Sequence, residues 1–266
     1  MFDRLPLELL ELVMKEVWQR TDRQNLAYSC KAIYQVMRPY LWQDLKLIAG
    51  YFYHQENILK NKHFIQNLTL SFNRKDTENL CDFLRMMFDG ESVSLSYLFV
   101  EGNVPDEIFS LLISKSAQLR KLNFSIRTKD SQWDYAGSVL PSTLKKVQFW
   151  ESTATDAFLE SIIRANVKTL ESLDISLCDE LTPKGYLPIS KLVHLKSLTL
   201  YDEEPSEVLD ISFVGELKDL EYLDFQNIKI EVDSRIGIWE CVPKLKHGPF
   251  QSGLTLVCAI HLRYLR

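Results

Sequence analysis

Glycine and proline are scarce in this chain, nine of each in 266 residues, which excludes a collagen-like or linker-dominated polypeptide. Cysteine is sparse as well. Cys30, Cys81, Cys178, Cys241 and Cys258 are scattered, odd in number and form no C-x-x-C pair, so neither a disulfide framework nor a zinc ribbon is supported. The longest wholly apolar stretch, near Leu256 to Ile260, falls far short of the roughly 20 residues that cross a bilayer, and no membrane partner is expected. Positive charge is not in excess, the net charge being -5, which argues against a general nucleic-acid binder. No G-x-S-x-G, P-loop, H-E-x-x-H or Rossmann glycine pattern occurs, and the five histidines are dispersed, so no catalytic residue, metal or cofactor is expected and the chain reads as a non-enzyme. Asp202-Glu203-Glu204 reads as a solvated loop rather than a cation site. With no signal-peptide pattern and reduced cysteines, the expected compartment is cytoplasm or nucleus.

What the chain has in abundance is one spacing. Apolar-x-x-apolar-x-apolar recurs as Ile65-Leu68-Leu70, Leu95-Leu98-Val100, Leu119-Leu122-Phe124, Leu144-Val147-Phe149, Leu170-Leu173-Ile175, Leu195-Leu198-Leu200 and Leu220-Leu223-Phe225, with a decayed copy at Leu245, Gly248 and Phe250. The steps between copies are 30, 24, 25, 26, 25 and 25 before the last intact one, within the range of about 20–29 residues for leucine-rich repeats. Each copy reads as a short strand whose apolar pair points inward while its neighbours point outward. Between copies the period changes to that of helices: Leu80, Phe83, Leu84 and Met87; Ile108, Leu111 and Leu112 after Pro105; Phe158, Ile162 and Ile163 after Thr155-Asp156. One such unit cannot bury its own apolar edge, so the units must stack. The copy around Leu170 to Leu181 resembles the cysteine-containing subclass of leucine-rich repeats, Cys178 standing where the chain leaves the strand.

Seven strands about 4.8 Å apart predict a concave sheet roughly 30 Å long. Its outward columns include Tyr97, Lys121, Lys146 and Tyr222; Phe99, Asn123, Gln148 and Asp174; and Trp150 and Tyr201. Lys121 and Lys146, with Arg120 and Lys145 beside them, and the aromatics Trp150 and Tyr201 suit a binding surface for an acidic or phosphorylated segment of a protein target. Lysines at such positions are equally compatible with a purely solubilising role. The candidate target-binding set is Tyr97, Phe99, Lys121, Lys146, Trp150, Asp174, Tyr201 and Tyr222.

Residues ahead of the repeats follow another pattern. Pro6 suits the first turn of a helix carrying Leu9, Leu10, Val13, Met14 and Val17 on one stripe. Asp22 is placed to cap a second helix through Leu26 and Cys30, and a third runs from Lys31 to Met37 until Pro39 stops it. A unit of about forty residues without metal or disulfide rarely builds a sufficient core and needs a partner. The order Leu5-Pro6-x-Glu8-Leu9-Leu10, then Leu26 with Cys30-Lys31, then Pro39-x-Leu41-Trp42 resembles the F-box, covering about residues 3–45, with Tyr34 near where many F-boxes carry tryptophan. Followed by leucine-rich repeats, the arrangement is similar to the F-box/leucine-rich-repeat proteins.

That resemblance implies an α/β architecture: a three-helix F-box (1–46), a bridging segment (47–62), a curved solenoid with a parallel concave sheet and helices outside (63–250), and a C-terminal cap (251–266) built on Leu254, Leu256, Val257, Ile260 and Leu262. An alternative C-terminus is the competing reading of that last part. The resemblance further implies a substrate-recognition subunit of a Skp–cullin–F-box ubiquitin ligase, bound to the Skp-type adaptor and through it to cullin and RING subunits. The adaptor-binding set is Leu5, Pro6, Leu9, Leu10, Val13, Leu26, Cys30, Tyr34 and Trp42, of which Leu26 and Cys30 are the best candidates for internal packing, while Trp42 and Leu45 join the F-box to the repeats. Two other readings stay open: an adaptor-binding scaffold without a ubiquitination role, and a plain repeat module whose N-terminal helices cap the solenoid.

Overall fold

The computed structural model describes residues 9, 12, 16, 20–27, 31–73, 77–90, 93–126, 140–202, 208–228, 230–231 and 242–246. Leu9, Leu12 and Glu16 are helical, and two helices follow, α1 (Arg20–Ala27) and α2 (Lys31–Trp42). Ala27, Ile33 and Met37 form a small core of their own, with Leu26, Val36, Tyr40 and Leu41 packed against it. Asp22 lies in the first turn of α1 rather than ahead of it, where a carboxylate still favours the positive end of the helix. α2 continues through Pro39, past the predicted stop. Pro39 and Gln35 are both exposed, so water can satisfy the Gln35 carbonyl that a proline four residues on leaves without a donor.

From residue 44 onward, the described residues form one stack. Eight parallel strands form a single sheet in the order β1 (Asp44–Ile48), β2 (Asn67–Phe72), β3 (Tyr97–Gly102), β4 (Lys121–Ser125), β5 (Lys146–Trp150), β6 (Ser172–Ser176), β7 (Ser197–Tyr201) and β9 (Tyr222–Gln226). Between the last two, the short β8 (Leu209–Asp210) pairs in parallel with β10 (Ile230–Glu231). The returns are α3 (Gln55–Asn61) with a 3-10 turn at Lys62–Phe64, α4 (Glu78–Phe88), α5 (Asp106–Ser114) and α6 (Asp156–Asn166), then 3-10 segments at Pro183–Lys191 and Ser212–Glu216. Helix gives way to 3-10 where Pro183 and Pro188 remove backbone donors within a few residues of each other.

The strand register reproduces the sequence repeat. Leu68, Leu98, Leu122, Val147, Leu173, Leu198 and Leu223 pair across the sheet as one rung, and Leu70, Val100, Phe124, Phe149, Ile175, Leu200 and Phe225 as another. The leading residues Ile65, Leu95, Leu119, Leu144, Leu170, Leu195 and Leu220 are all fully buried. These columns and the buried faces of α4, α5 and α6 belong to one continuous core. Its centre is aromatic: Phe124 lies edge-on to Phe149, Phe158 and Phe109, at centroid distances of 4.4, 5.5 and 6.1 Å.

The sheet begins one strand earlier than the sequence reading has it. Residues 47–62, read as a bridge, comprise the end of β1, α3 and the turn at Lys62–Phe64, and Leu45 and Leu47 pair with Leu68 and Leu70. Trp42, Leu45 and Leu47 satisfy the repeat spacing with tryptophan in the leading place, and Trp42 packs on the main core. The N-terminal helices dock on this first unit through Arg38, whose Nε donates to Asn61 Oδ1 at 2.5 Å and whose guanidinium carbon lies 5.5 Å from the centre of the Phe64 ring. At the other end, Leu245 of the decayed copy packs on the core and Lys246 N donates to Glu221 O at 2.8 Å, extending the ladder by one rung. Gly248, Phe250 and the expected cap at 251–266 lie outside the described residues.

The chain leaves several strands through a left-handed residue, at Gly102, Glu151, Leu177 and Asn227. Gly102 also has no room for a side chain, since a Cβ there would sit 2.7 Å from the Phe72 carbonyl carbon. The residues after Glu151 and Leu177 turn inward: Ser152 is buried and Cys178 packs on the core, where burial pushes its thiol up to about 12. Cys178 is therefore a packing residue, held protonated at neutral pH.

Candidate functional site

Helices cover one face of the sheet, and the alternation of strand side chains leaves the other face to polar and aromatic residues. On this open face the first column pairs Tyr97 with Lys121, Lys121 with Lys146, Lys146 with Ser172, Ser172 with Ser197 and Ser197 with Tyr222. The middle column runs Phe99, Asn123, Gln148, Asp174, Thr199 and Asp224. Trp150 pairs with Ser176, which pairs with Tyr201. Backbone stacking thus brings Lys121 and Lys146 side by side and sets Trp150 and Tyr201 two strands apart. Trp150 and Tyr222 are 47% and 39% exposed, whereas Tyr97, Phe99, Lys146, Asp174 and Tyr201 are half-buried and Lys121 is exposed.

The middle column is a connected chain of amides and a carboxylate. Asn123 Nδ2 donates to Gln148 Oε1 at 3.1 Å, Gln148 Nε2 to Asp174 Oδ2 at 3.0 Å, and Ser176 Oγ to Asp174 Oδ1 at 2.9 Å. Burial pushes the Asp174 carboxyl up, opposed by the Ser176 hydrogen bond and the Lys146 charge. Asp224 accepts from Tyr222 OH at 3.2 Å and from Gln226 Nε2 at 2.7 Å. Burial also raises the Tyr97 phenol, so its hydroxyl stays a donor at neutral pH. Asp174 and Asp224 make the β6–β9 half of the face acidic, while the cations lie toward β1–β5.

Lys145, which the sequence places beside the basic pair, is not available there. Its Nζ is 2.9 Å from Glu171 Oε1, and Lys196 Nζ is 2.8 Å from the other oxygen of the same carboxylate. Glu221 holds Lys246 at 2.6 Å, and Asp219 holds Lys244 at 2.6 Å and His194 at 3.1 Å. These pairs occupy the edge where successive strands begin, an alternation of charge created by stacking residues about 25 positions apart, which no local sequence window displays. Hydrogen bonds from Lys196 and Lys145 hold the Glu171 carboxyl down at about 2. A depressed carboxylate stabilises the fold above its unfolded value of about 4.3 and loses that contribution as pH falls toward 2. Glu171→Gln is accordingly expected to cost on the order of 1 kcal/mol or less, because the pairs are solvent-screened. Thermal unfolding at neutral pH should show the loss in low salt and hardly any in molar salt.

Farther along that edge, toward β1, a groove of about 480 Å³ opens between the starts of β1–β4, lined in part by Asp44, Lys46, Asn67, Tyr97, Arg120 and Lys121. Lys46 was missed in the sequence for the same reason as β1. Alternation in Asp44-Leu45-Lys46-Leu47 marks its side chain as outward-facing once Trp42 is read as a repeat residue.

The second candidate surface is on the N-terminal helices. Leu9, Leu12 and Tyr34 are 46%, 56% and 39% exposed, whereas Leu26 packs against the small core and Trp42 against the main one. Leu12, absent from the sequence-derived set, lies three residues from Leu9 and hence on the same side of a helix. Leu5, Pro6, Leu10, Val13 and Cys30 lie outside the described residues.

Among the described residues no group of three His, Cys, Asp or Glu is placed to hold a metal, and no helix is long and apolar enough to cross a membrane. No protein-family model matches the chain, and no curated protein matches it by sequence. Among solved structures, it is similar to an internalin (inlF) from Listeria monocytogenes, with 16% identity over 84% of this chain and 71% of that one and a TM-score of 0.39. It is also similar to a chain of the TLR13–ssRNA13 complex, with 14% identity over 78% of this chain and 39% of that one and a TM-score of 0.34. Likeness at this level carries no functional assignment.

Proposed function

We propose that this protein is the substrate-recognition subunit of a Skp–cullin–F-box ubiquitin ligase, its N-terminal helices docking on the Skp-type adaptor and its leucine-rich repeats holding a protein target. The observation that carries the reading is the N-terminal unit itself. Its buried core among the described residues is Ala27, Ile33 and Met37, while Leu9, Leu12 and Tyr34 stay exposed, so a partner is the natural cover for that surface. The F-box-like order of Leu5-Pro6, Cys30-Lys31 and Pro39-x-Leu41-Trp42 names the class of partner.

Such a receptor needs no catalytic group, because it acts by raising the concentration of a target near a charged ubiquitin carrier. The open face supplies the second half of the role. Trp150, Tyr201 and Tyr222 offer aromatic anchors on the same face of the sheet as Lys146, and cytoplasm or nucleus is the matching compartment. A repeat scaffold that binds the adaptor without directing ubiquitination is the alternative.

Affinity capture with the intact protein tests the reading: the adaptor and cullin should be recovered together, and recovery of the adaptor alone would favour the scaffold. Trp150→Ala should leave adaptor recovery unchanged and weaken target capture by about thirtyfold, as for an anchor contributing roughly 2 kcal/mol. Target capture unaffected by that change would place the target elsewhere than on the open face.

A further inference from the structure

Carboxylates on the sheet are of two kinds. Glu171, Asp219 and Glu221 on the strand-start edge are each held by a lysine, whereas Asp174 and Asp224 on the open face form no ion pair among the described residues. Both belong to the middle column, on β6 and β9, with Thr199 of β7 between them. Gln148 and Ser176 occupy the two oxygens of Asp174. At Asp224, which is only 8% exposed, the Tyr222 hydroxyl and the Gln226 amide both donate to Oδ2. Oδ1 of this nearly buried carboxylate accepts from no described residue, an arrangement that costs stability until a donor from outside completes it. The negative potential converges on one place: burial first, then the charge and hydrogen bond of Asp224 and the charge of Asp174, push the Tyr222 phenol up.

We propose that the β6–β9 half of the open face binds an arginine side chain of the protein target, seated over Thr199 between Asp174 and Asp224. The proposal rests on the reading of the open face as the target-binding face and specifies its chemistry. Two strand spacings separate the carboxylates, about 9–10 Å at the backbone. A guanidinium carries donors at both ends of its plane, so it can bond Asp224 Oδ1 on one side while facing Asp174 on the other. Tyr201 stands two residues beyond Thr199 on β7 and Tyr222 two residues before Asp224 on β9, so both rings border the seat, and ring contact favours a planar guanidinium over a compact ammonium. Trp150, 47% exposed on β5, is left to anchor an apolar flank of the same segment. An acidic or phosphorylated segment, the expectation drawn from Lys121 and Lys146, fits this half poorly, because it would bring like charge onto carboxylates that have no counter-ion. A bare metal ion fits poorly as well, since no third His, Cys, Asp or Glu among the described residues is placed to complete a ligand set.

The test uses the intact protein co-expressed with the adaptor and immobilised pools of short peptides with degenerate uncharged flanks, differing in one central residue: arginine, its neutral isostere citrulline, lysine or glutamate. Retention by the arginine pool should exceed that by the citrulline pool about tenfold or more, fall with added salt, and be lost in the double variant Asp174→Asn, Asp224→Asn. The citrulline comparison is made on the unaltered protein, so it reads the preference whether or not the variant folds. Glu171→Gln, which touches the paired edge only, should retain the preference. Equal retention by the arginine and citrulline pools overturns the proposal, as does a preference that survives the double variant. A lysine pool held as tightly as the arginine pool overturns the guanidinium assignment, and a glutamate pool held more tightly overturns it in favour of an acidic segment. Absence of the arginine preference while Trp150→Ala still weakens target capture removes the arginine assignment alone; target capture indifferent to Trp150→Ala removes the open-face reading.

Discussion

Replacing Leu9 and Leu12 together by aspartate is expected to abolish adaptor capture while leaving the repeats folded. Both leucines are exposed in the isolated chain, at 46% and 56%, so the change takes little from intramolecular packing and falls in the class of surface substitutions with small stability effects. Under the proposed adaptor the same positions would become buried. Each leucine then contributes roughly 1.5–3 kcal/mol of apolar burial, and each aspartate adds the penalty of an unpaired charge at an interface. Together these predict a loss of at least a hundredfold in affinity, or about 3 kcal/mol. Solubility should move in the opposite direction. The unaltered protein should gain soluble yield on co-expression with the adaptor, by mass action on the folded state, and the double variant should be soluble without it and indifferent to it. Undiminished adaptor capture by the double variant, or a soluble wild-type protein that ignores the adaptor, would sink the F-box reading.

Phe124→Ala is expected to produce the largest loss of stability of any single change considered for this molecule. Phe124 is 1% exposed and packs edge-on against Phe149 from the next strand, Phe158 from α6 and Phe109 from α5. Removing it from a fully buried cluster that cannot easily collapse costs roughly 3–5 kcal/mol, plus the favourable aromatic geometry. In a stack of nearest-neighbour units the damage concentrates at the affected interfaces. Amide exchange should therefore speed up most in β3–β6, with the N-terminal helices and adaptor binding little changed. Phe124→Leu, which retains most of the volume, should recover the greater part of the stability. A cost below about 1 kcal/mol for Phe124→Ala would show that the cluster is not the centre of the core.

The phenylalanine cluster was partly legible in the sequence. Phe124 and Phe149 occupy the same motif position in successive copies, and equivalent positions in a stacked repeat must become neighbours. That α5 and α6 would bring Phe109 and Phe158 to the same point follows only from the packing angle of the returns. Trp42 is the opposite case: its spacing to Leu45 and Leu47 matched the repeat, but the F-box-like context drew it to the adaptor-binding set, and its contact with the main core shows it also opens the first repeat. Pro39 misleads as a stop signal because its cost depends on whether the orphaned carbonyl can reach water, a property of exposure rather than of residue type.

By itself the sequence determined the stack: the strands β2–β7 and β9, their inward columns, their register and the polar character of the open face. A short local period fixes these, since every unit must bury the same apolar edge against its neighbours. The tertiary structure alone decided which charges are satisfied. Lys145 and Lys121 look alike along the chain, yet Lys145 meets Glu171, 26 residues away, at 2.9 Å, while Lys121 faces a groove with Lys46 and Arg120. Charge pairing depends on through-space distances of a few ångströms between residues a whole repeat apart, and those distances exist only once the strands are stacked.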